Sequence, residues 1–377
     1  MAGSGSDVIV VEGLAVGGDV GALALALSKA AAALAPAGAA PWTMTQMVWA
    51  GPDPAAIHPA RREVDRARRE IFAGFRPPVR VERAGADEVR VRIHAQPVSP
   101  PSSAPVYRGY TPAQLAGQMS PRGQVPDMGA VFAAWTRDGA AARAAHGGGL
   151  DIAYGPDRDQ TLDLYRPEGV ARPPVWVFIH GGYWQASSKD QHAQFCAGML
   201  AAGYAVANID YGLAPETPLA LIVAQVRAAL CFLAREADNL AIDAARMHVC
   251  GHSAGGHLAA MMACDPHAPP LRSAHPLSGV LDLEPLTHLP MGRLLGLASA
   301  DDAARLSPVL MRPRAGVRVA LAVGGAESDE FKRQSAELAR LWDAPAPLVV
   351  EGANHFSLLD GLNAGALLDQ ARAVCGG

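Results

Sequence analysis

Apolar positions along this chain fall into two regimes. In the first hundred or so residues, short apolar runs at 8–11, 43–50, 79–81 and 89–93 read as strands, and the stretches 20–34 and 59–74 between them carry helical periodicity. Two helices on one sheet make an α+β unit. Residues 96–113, QPVSPPSSAPVYRGYTPA, are rich in Pro and Ser and keep neither period, which predicts a linker. The expected organisation is an α+β domain over 1–97, a linker over 98–113 and a larger domain over 114–377.

Beyond the linker the pattern changes. Apolar runs at 175–179, 205–209, 247–250, 319–323 and 347–350 are continuous rather than alternating, as strands buried on both faces require. Helical patterns at 190–202, 219–237, 254–263, 331–342 and 358–374 lie between and after them. Strands alternating with helices predict a doubly wound α/β domain with a mostly parallel sheet, whose sites form at the carboxyl ends of the strands.

Composition narrows the class of function. The chain has 377 residues, enough for two domains, and is 50% apolar and 18% charged, which provides for a large buried core. A formal charge of -4 and a pI near 6.3 give no reason to expect nucleic acid or an anionic membrane as partner. The opening MAGSGSDVIVVEG has no basic n-region and no long apolar core, so no signal peptide is expected. The most apolar stretch, 20–40, is mostly alanine and carries Lys29 and Pro36, unlike a membrane span of about 20 strongly apolar residues. The five cysteines are scattered without a CxxC, and no His/Cys cluster has zinc-ligand spacing. A reduced cytoplasmic protein without metal or cofactor is the expectation.

Three segments carry chemistry, each at a predicted strand end. Gly251-His252-Ser253-Ala254-Gly255 follows the run 247–250 and opens a helical pattern, the context in which G-x-S-x-G forms a nucleophile elbow. Glycines are needed there because a Cβ beside the sharp turn would clash, and the turn lifts the Ser253 hydroxyl clear of the sheet. His180-Gly181-Gly182-Tyr183-Trp184 ends the run 175–179. Its glycines let backbone N–H groups approach an oxyanion, so Gly181 and Gly182, with the Ala254 N–H, are the expected oxyanion hole. A serine hydroxyl needs a general base, and His355, in the loop after 347–350, occupies the place that the order Ser, acid, His requires. The acid should leave the run 319–323, where the loop reads Gly324-Gly325-Ala326-Glu327-Ser328-Asp329-Glu330. Glu327 is the expected orienting carboxylate. Asp329 is the runner-up, with an alternative role as helix N-cap, and Asp282 is a further candidate.

These residues resemble the kynurenine formamidase (arylformamidase) family of α/β hydrolases. The similarity runs from about residue 110 to 375 through His180 to Asp190, Asp210 to Glu216, Gly251 to Met262, Ser278 to Leu286, Val323 to Ser335 and Asn354-His355-Phe356. The family carries aspartate where this chain has Glu327, a chemically mild departure. The resemblance implies an α/β-hydrolase fold and metal-independent hydrolysis of N-formyl-L-kynurenine to kynurenine and formate. A cleft for the aryl amine would then be lined by Tyr183, Trp184 and Tyr211. Residues 7–97 resemble, more weakly, the Rid family of small α+β proteins, which implies a trimer with clefts between subunits. Arg76 matches the arginine that grips a substrate carboxylate in that family's enamine deaminases, but His94 stands where they carry a catalytic glutamate. A non-catalytic binding or trimerising module is the reading that follows.

Other readings remain. The same residues suit a broad carboxylesterase of short acyl esters. They also suit an amide or carbamate hydrolase of a catabolic pathway paired with a Rid function, or a binding protein on an inactive hydrolase scaffold.

Overall fold

The computed structural model describes residues 9–16, 44–51, 79–83, 88–95, 104–146, 149–297 and 299–376. The chain divides into two compact units, Met1–Ser103 and Ala104–Gly377.

The smaller unit contains strands at the four expected places: β1 (Ile9–Val16), β2 (Met44–Gly51), β3 (Val79–Arg83) and β4 (Glu88–Ala95). They form one sheet in the order β1-β4-β2-β3, with β2 and β3 parallel and the other pairs antiparallel. The helices expected at 20–34 and 59–74, and Arg76, lie outside the described residues. His94 belongs to β4, where its backbone pairs with Val10 and Gln46.

The larger unit is built on a nine-stranded sheet. It holds β5 (Ile152–Ala153), β6 (Thr161–Tyr165), β7 (Pro174–Ile179), β8 (Ala205–Ile209), β9 (Asp243–His252), β10 (Ser273–Leu277), β11 (Arg318–Val319), β12 (Ala322–Gly324) and β13 (Leu348–Val350). Their order is β13-β12-β10-β9-β7-β8-β6-β5, with β11 paired to β10. All pairs from β8 to β13 are parallel; only β5 and β6, at one edge, run antiparallel to their neighbours. Successive residues of β7 face opposite layers, as a strand buried on both sides must. Val175, Val177 and Ile179 join the core beneath helices α3 (Leu219–Arg235), α4 (Ala254–Cys264) and α5 (Asp329–Leu341). Trp176 and Phe178 join the other core, shared with α2 (Met128–His146) and α6 (Ala366–Cys375).

The helical pattern at 190–202 is a 3₁₀ segment, Lys189–Cys196, leading into a short helix, Ala197–Ala201, and the structure departs from the sequence expectations in three further places. Residues 104–113 are part of the folded larger unit rather than linker. Tyr107 is buried and pairs with Tyr110, and Thr111 caps α1 (Pro112–Gln118) in a capping box with Gln114. Pro112 sits at the first helical position, where its missing N–H costs nothing, so this proline starts a helix instead of marking a break. The run 319–323 is not one strand: β11 ends at Val319 and β12 begins at Ala322. The helical pattern at 358–374 splits into a 3₁₀ turn, Ser357–Leu362, and α6, with Gly365 between them at φ +84°.

Behind β6 and β8 lies a network of buried charge. Asp163 is fully buried and accepts from the Arg143 guanidinium at 2.7 Å, and the Lys189 ammonium lies 3.1 Å away. Lys189 also reaches Asp151 and Asp190, and its backbone N–H donates to Asp210. Among the described residues no helix is long and apolar enough to cross a membrane. Asp163→Ala, which removes the fully buried carboxylate but leaves Arg143 and Lys189 paired with Asp151 and Asp190, should lower unfolding stability by about 1–3 kcal/mol. Urea unfolding of the two proteins measures this.

Candidate active site

The backbone around Ser253 explains why this stretch must be Gly-x-Ser-x-Gly. Strand β9 ends at His252, helix α4 begins at Ala254, and Ser253 between them sits at φ 58°, ψ -117°. Such a conformation costs a non-glycine residue about 1–3 kcal/mol and persists only where the surroundings impose it. They do: the Ser253 N–H donates to the Leu277 carbonyl at 2.8 Å, and the Ser253 carbonyl accepts from His257 N–H at 3.1 Å. A Cβ on Gly251 would stand 2.1 Å from the Gly255 carbonyl oxygen, and one on Gly255 would stand 2.0 Å from that of Ile179. Neither position admits a side chain.

The end of β7 supplies a second turn against the first. A Cβ on Gly181 would lie 3.1 Å from the Ser253 Cβ, so this glycine backbone packs directly on the serine. Gly182 has φ +111°, and a Cβ there would meet the Ala186 carbonyl oxygen at 2.1 Å. The Gly182 and Ala254 amides have no hydrogen-bond acceptor among the described residues, leaving both donors available beside the hydroxyl. His180, which precedes them, is fully buried. Its Nδ1 lies 2.7 Å from the Gly181 carbonyl, its ring stacks on Tyr211 at 4.3 Å, and its Nε2 lies 3.1 Å from Asp210 Oδ1, off the hydrogen-bonding direction.

His355 and Glu327 come together from two loops separated in sequence. Glu327 follows β12 and His355 follows β13; both are buried, and Nδ1 of His355 lies 2.6 Å from Oε2 of Glu327. The other carboxylate oxygen accepts from the Ser278 hydroxyl and from the Gly324 N–H at 2.7 Å. Burial alone would raise the Glu327 pKa. The adjacent His355 and the donated hydrogen bonds outweigh it and hold this carboxyl below its ordinary value. A carboxylate on Nδ1 fixes that nitrogen as the protonated one, so the lone pair is on Nε2. The Ser253 hydroxyl and His355 Nε2 make no hydrogen bond to each other, and catalytic contacts of this kind often tighten only with substrate bound.

The remaining expected residues separate clearly. Asp329 is not the partner of His355: it is 80% exposed at the start of α5 and pairs with Lys332 at 3.3 Å. Nor is it the N-cap, which is Ser328. Asp282 accepts from Tyr107 at 2.8 Å and lies 3.3 Å from Arg333. Trp184 and Tyr211 are fully buried in the core, so neither forms a wall of an open cleft. The Trp184 ring meets His257 edge-on at 5.1 Å, and the Tyr211 hydroxyl donates to the His180 carbonyl. Tyr183 is partly buried, and its hydroxyl donates to the Met119 carbonyl. Three contributors were not among the expected site residues. Ser278, at φ 44° just past β10, holds the acid, and Gln118 and Met119 receive hydrogen bonds from residues beside the acid and the oxyanion turn.

A serine held in a strained strand-to-helix turn, beside a buried histidine–carboxylate pair on a mostly parallel sheet, defines a serine hydrolase. Known proteins agree. A BD-FAE family model matches residues 162–274. The chain is 28% identical to a kynurenine formamidase of Danio rerio over 227 residues, 56% of this chain and 76% of that one. It is 38% identical to a carboxylesterase of Mycobacterium tuberculosis over 114 residues, 30% of this chain and 36% of that one. A solved structure from Silicibacter sp. TM1040, provisionally assigned as a thioesterase, is 32% identical. The match covers 67% of this chain and 95% of that one, with a TM-score of 0.61. The chain belongs to the α/β-hydrolase family of serine hydrolases.

Glu327→Gln keeps the shape but loses the charge that fixes the His355 tautomer, and should lower kcat by about three to four orders of magnitude. Asp329→Asn should change kcat by less than about twofold, because an exposed pair contributes little. Steady-state hydrolysis of p-nitrophenyl acetate by both variants distinguishes the two carboxylates.

Proposed function

We propose that Ser253 is the nucleophile, His355 the general base and Glu327 the orienting acid of a hydrolase that removes a small acyl group from an aryl amide, with N-formyl-L-kynurenine as the reading best supported. The observation that carries the mechanism is the 2.6 Å contact between Glu327 and His355 Nδ1, which leaves Nε2 as the proton acceptor. The observation that favours the amide is the similarity to kynurenine formamidases along the larger unit.

In this reading the Ser253 Oγ attacks the formyl carbon while its proton passes to Nε2 of His355. The oxyanion is received by the Gly182 and Ala254 amides, which have no acceptor among the described residues; donors of this kind are each worth about 3 kcal/mol. Collapse of the intermediate breaks the C–N bond, and His355 returns the proton to the departing aryl amine. Water, deprotonated by the same nitrogen, then attacks the formyl ester. Formate leaves and Ser253 regains its proton. Glu327 remains ionised throughout and stabilises the imidazolium. Tyr183, partly buried beside Gly182, is the aromatic residue to which we assign contact with the leaving group.

A second reading, a carboxylesterase of short acyl esters, draws on the carboxylesterase relatives. For the smaller unit we carry the Rid-like reading, supported by the strands at their expected positions. Sedimentation of the full chain as a trimer would agree with it, and as a monomer would reject it.

Ser253→Ala should abolish turnover of every acyl substrate, leaving at most the residual catalysis of binding and the oxyanion hole. Retained activity would remove Ser253 from the mechanism. Wild-type kcat/KM on N-formyl-L-kynurenine should exceed that on p-nitrophenyl acetate. The opposite ranking would favour the esterase.

A further inference from the structure

The residue between Gly251 and Ser253 has no role in the mechanism above, yet it touches both halves of the site. His252 is 2% exposed. Its Nε2 lies 2.8 Å from the carbonyl oxygen of His355, and the two rings are 4.6 Å apart. A Cβ on Gly181 would lie 3.2 Å from His252 Nδ1 and 2.9 Å from its carbonyl oxygen, so the residue also packs on the glycine that carries the oxyanion turn.

We propose that His252 is a positioning residue for catalysis: its ring braces the His355 loop against the Ser253 elbow, so that the base stays in register with the nucleophile. This rests on the reading of His355 as general base. Glu327 fixes the rotation of the His355 ring through Nδ1, but a ring is only as well placed as its backbone. The His355 carbonyl oxygen can only accept, so Nε2 of His252 carries the proton and donates. That bond runs from a residue covalently adjacent to the nucleophile to the main chain of the base, and ties the two directly. Burial, with His355 and His192 close by, pushes the His252 pKa well down and keeps its ring neutral. No second cation therefore opposes the imidazolium that forms on His355 during proton transfer.

The donor requirement makes the proposal testable without knowledge of the substrate. A glutamine at this position offers an amide N–H at a reach close to that of Nε2, whereas leucine fills similar space without a donor. A fluorophosphonate probe reports the step itself: the Ser253 Oγ–P bond forms, P–F breaks, the serine proton passes to His355 and fluoride departs. Full-length wild type, Ser253→Ala, His252→Leu and His252→Gln are compared by labelling rate against probe concentration, with thermal melts as a check of folding. His252→Leu should lower the maximal labelling rate about 10- to 100-fold, the loss expected for one buried hydrogen bond, with the half-saturating concentration unchanged. His252→Gln should recover the rate to within about threefold of wild type, which simple space-filling does not predict. If the leucine protein does not fold, His252→Asn, whose amide falls short of the carbonyl, supplies the slow arm. A leucine variant as fast as wild type, or glutamine and leucine variants equally slow, overturns the brace alone. Wild type that is not labelled, or Ser253→Ala that is, overturns the nucleophile reading and the brace with it.

Discussion

Everything at this site depends on one crowded crossing of backbones, where the elbow at Ser253 passes under the end of β7. Helix α4 can begin immediately after the serine only because Gly255 lets the Ile179 carbonyl come to where a Cβ would be, and Gly251 does the same for Gly255. The left-handed Ser253 is a consequence of that approach rather than a separate feature, and the Leu277 carbonyl secures it from β10. Three adjacent parallel strands thereby meet within one turn of chain. Close packing of this kind is discrete rather than elastic, so the serine has one available place.

The acid side solves a different problem. Glutamate is one methylene longer than aspartate, and a longer arm has more rotamers to lose before it presents an oxygen to Nδ1. Two donors remove that freedom: the Ser278 hydroxyl and the Gly324 N–H both hold Oε1, leaving Oε2 directed at His355. They also offset the cost of burying the charge, which an unpaired carboxylate at this depth would meet by protonating. The glutamate can therefore present Oε2 to His355 because Ser278 stands opposite it, at the end of β10.

Strong periodicity made most of this legible beforehand. The runs at 175–179 and 205–209, continuous and β-branched, mark central parallel strands to within a residue, and the elbow and His355 follow from where such strands end. What stayed hidden shares a physical cause. Strand β5 is a two-residue edge strand and β6 its short neighbour, and α2 is an alanine-rich helix with one face open to solvent, so their patterns are weak. Ser278 and Met119 act through a hydroxyl or a backbone carbonyl brought in by tertiary packing, which no local pattern encodes. Trp184 and Tyr211 misled for the opposite reason: sequence places them beside the oxyanion turn, but not on which side of the backbone their rings fall. Both point into the core.

The end of α1, just beyond the stretch expected to be linker, ties two of the loops together. Tyr183, next to Gly182, donates to the Met119 carbonyl, and Ser328, next to Glu327, donates to the Gln118 carbonyl. The Gln118 side chain in turn accepts from the Glu330 N–H at the head of α5. Consecutive residues at the end of α1 thus bind the oxyanion loop on one side and the acid loop on the other. Those loops leave different strands, β7 and β12, and share no sheet pairing with each other. The α1 segment is consequently a strap between the Tyr183 turn and the Glu327 loop, and the two cannot separate without breaking a hydrogen bond to one of its carbonyls. Tyr107 anchors the front of the strap through Asp282 and Arg333, the latter reaching Glu330 as well.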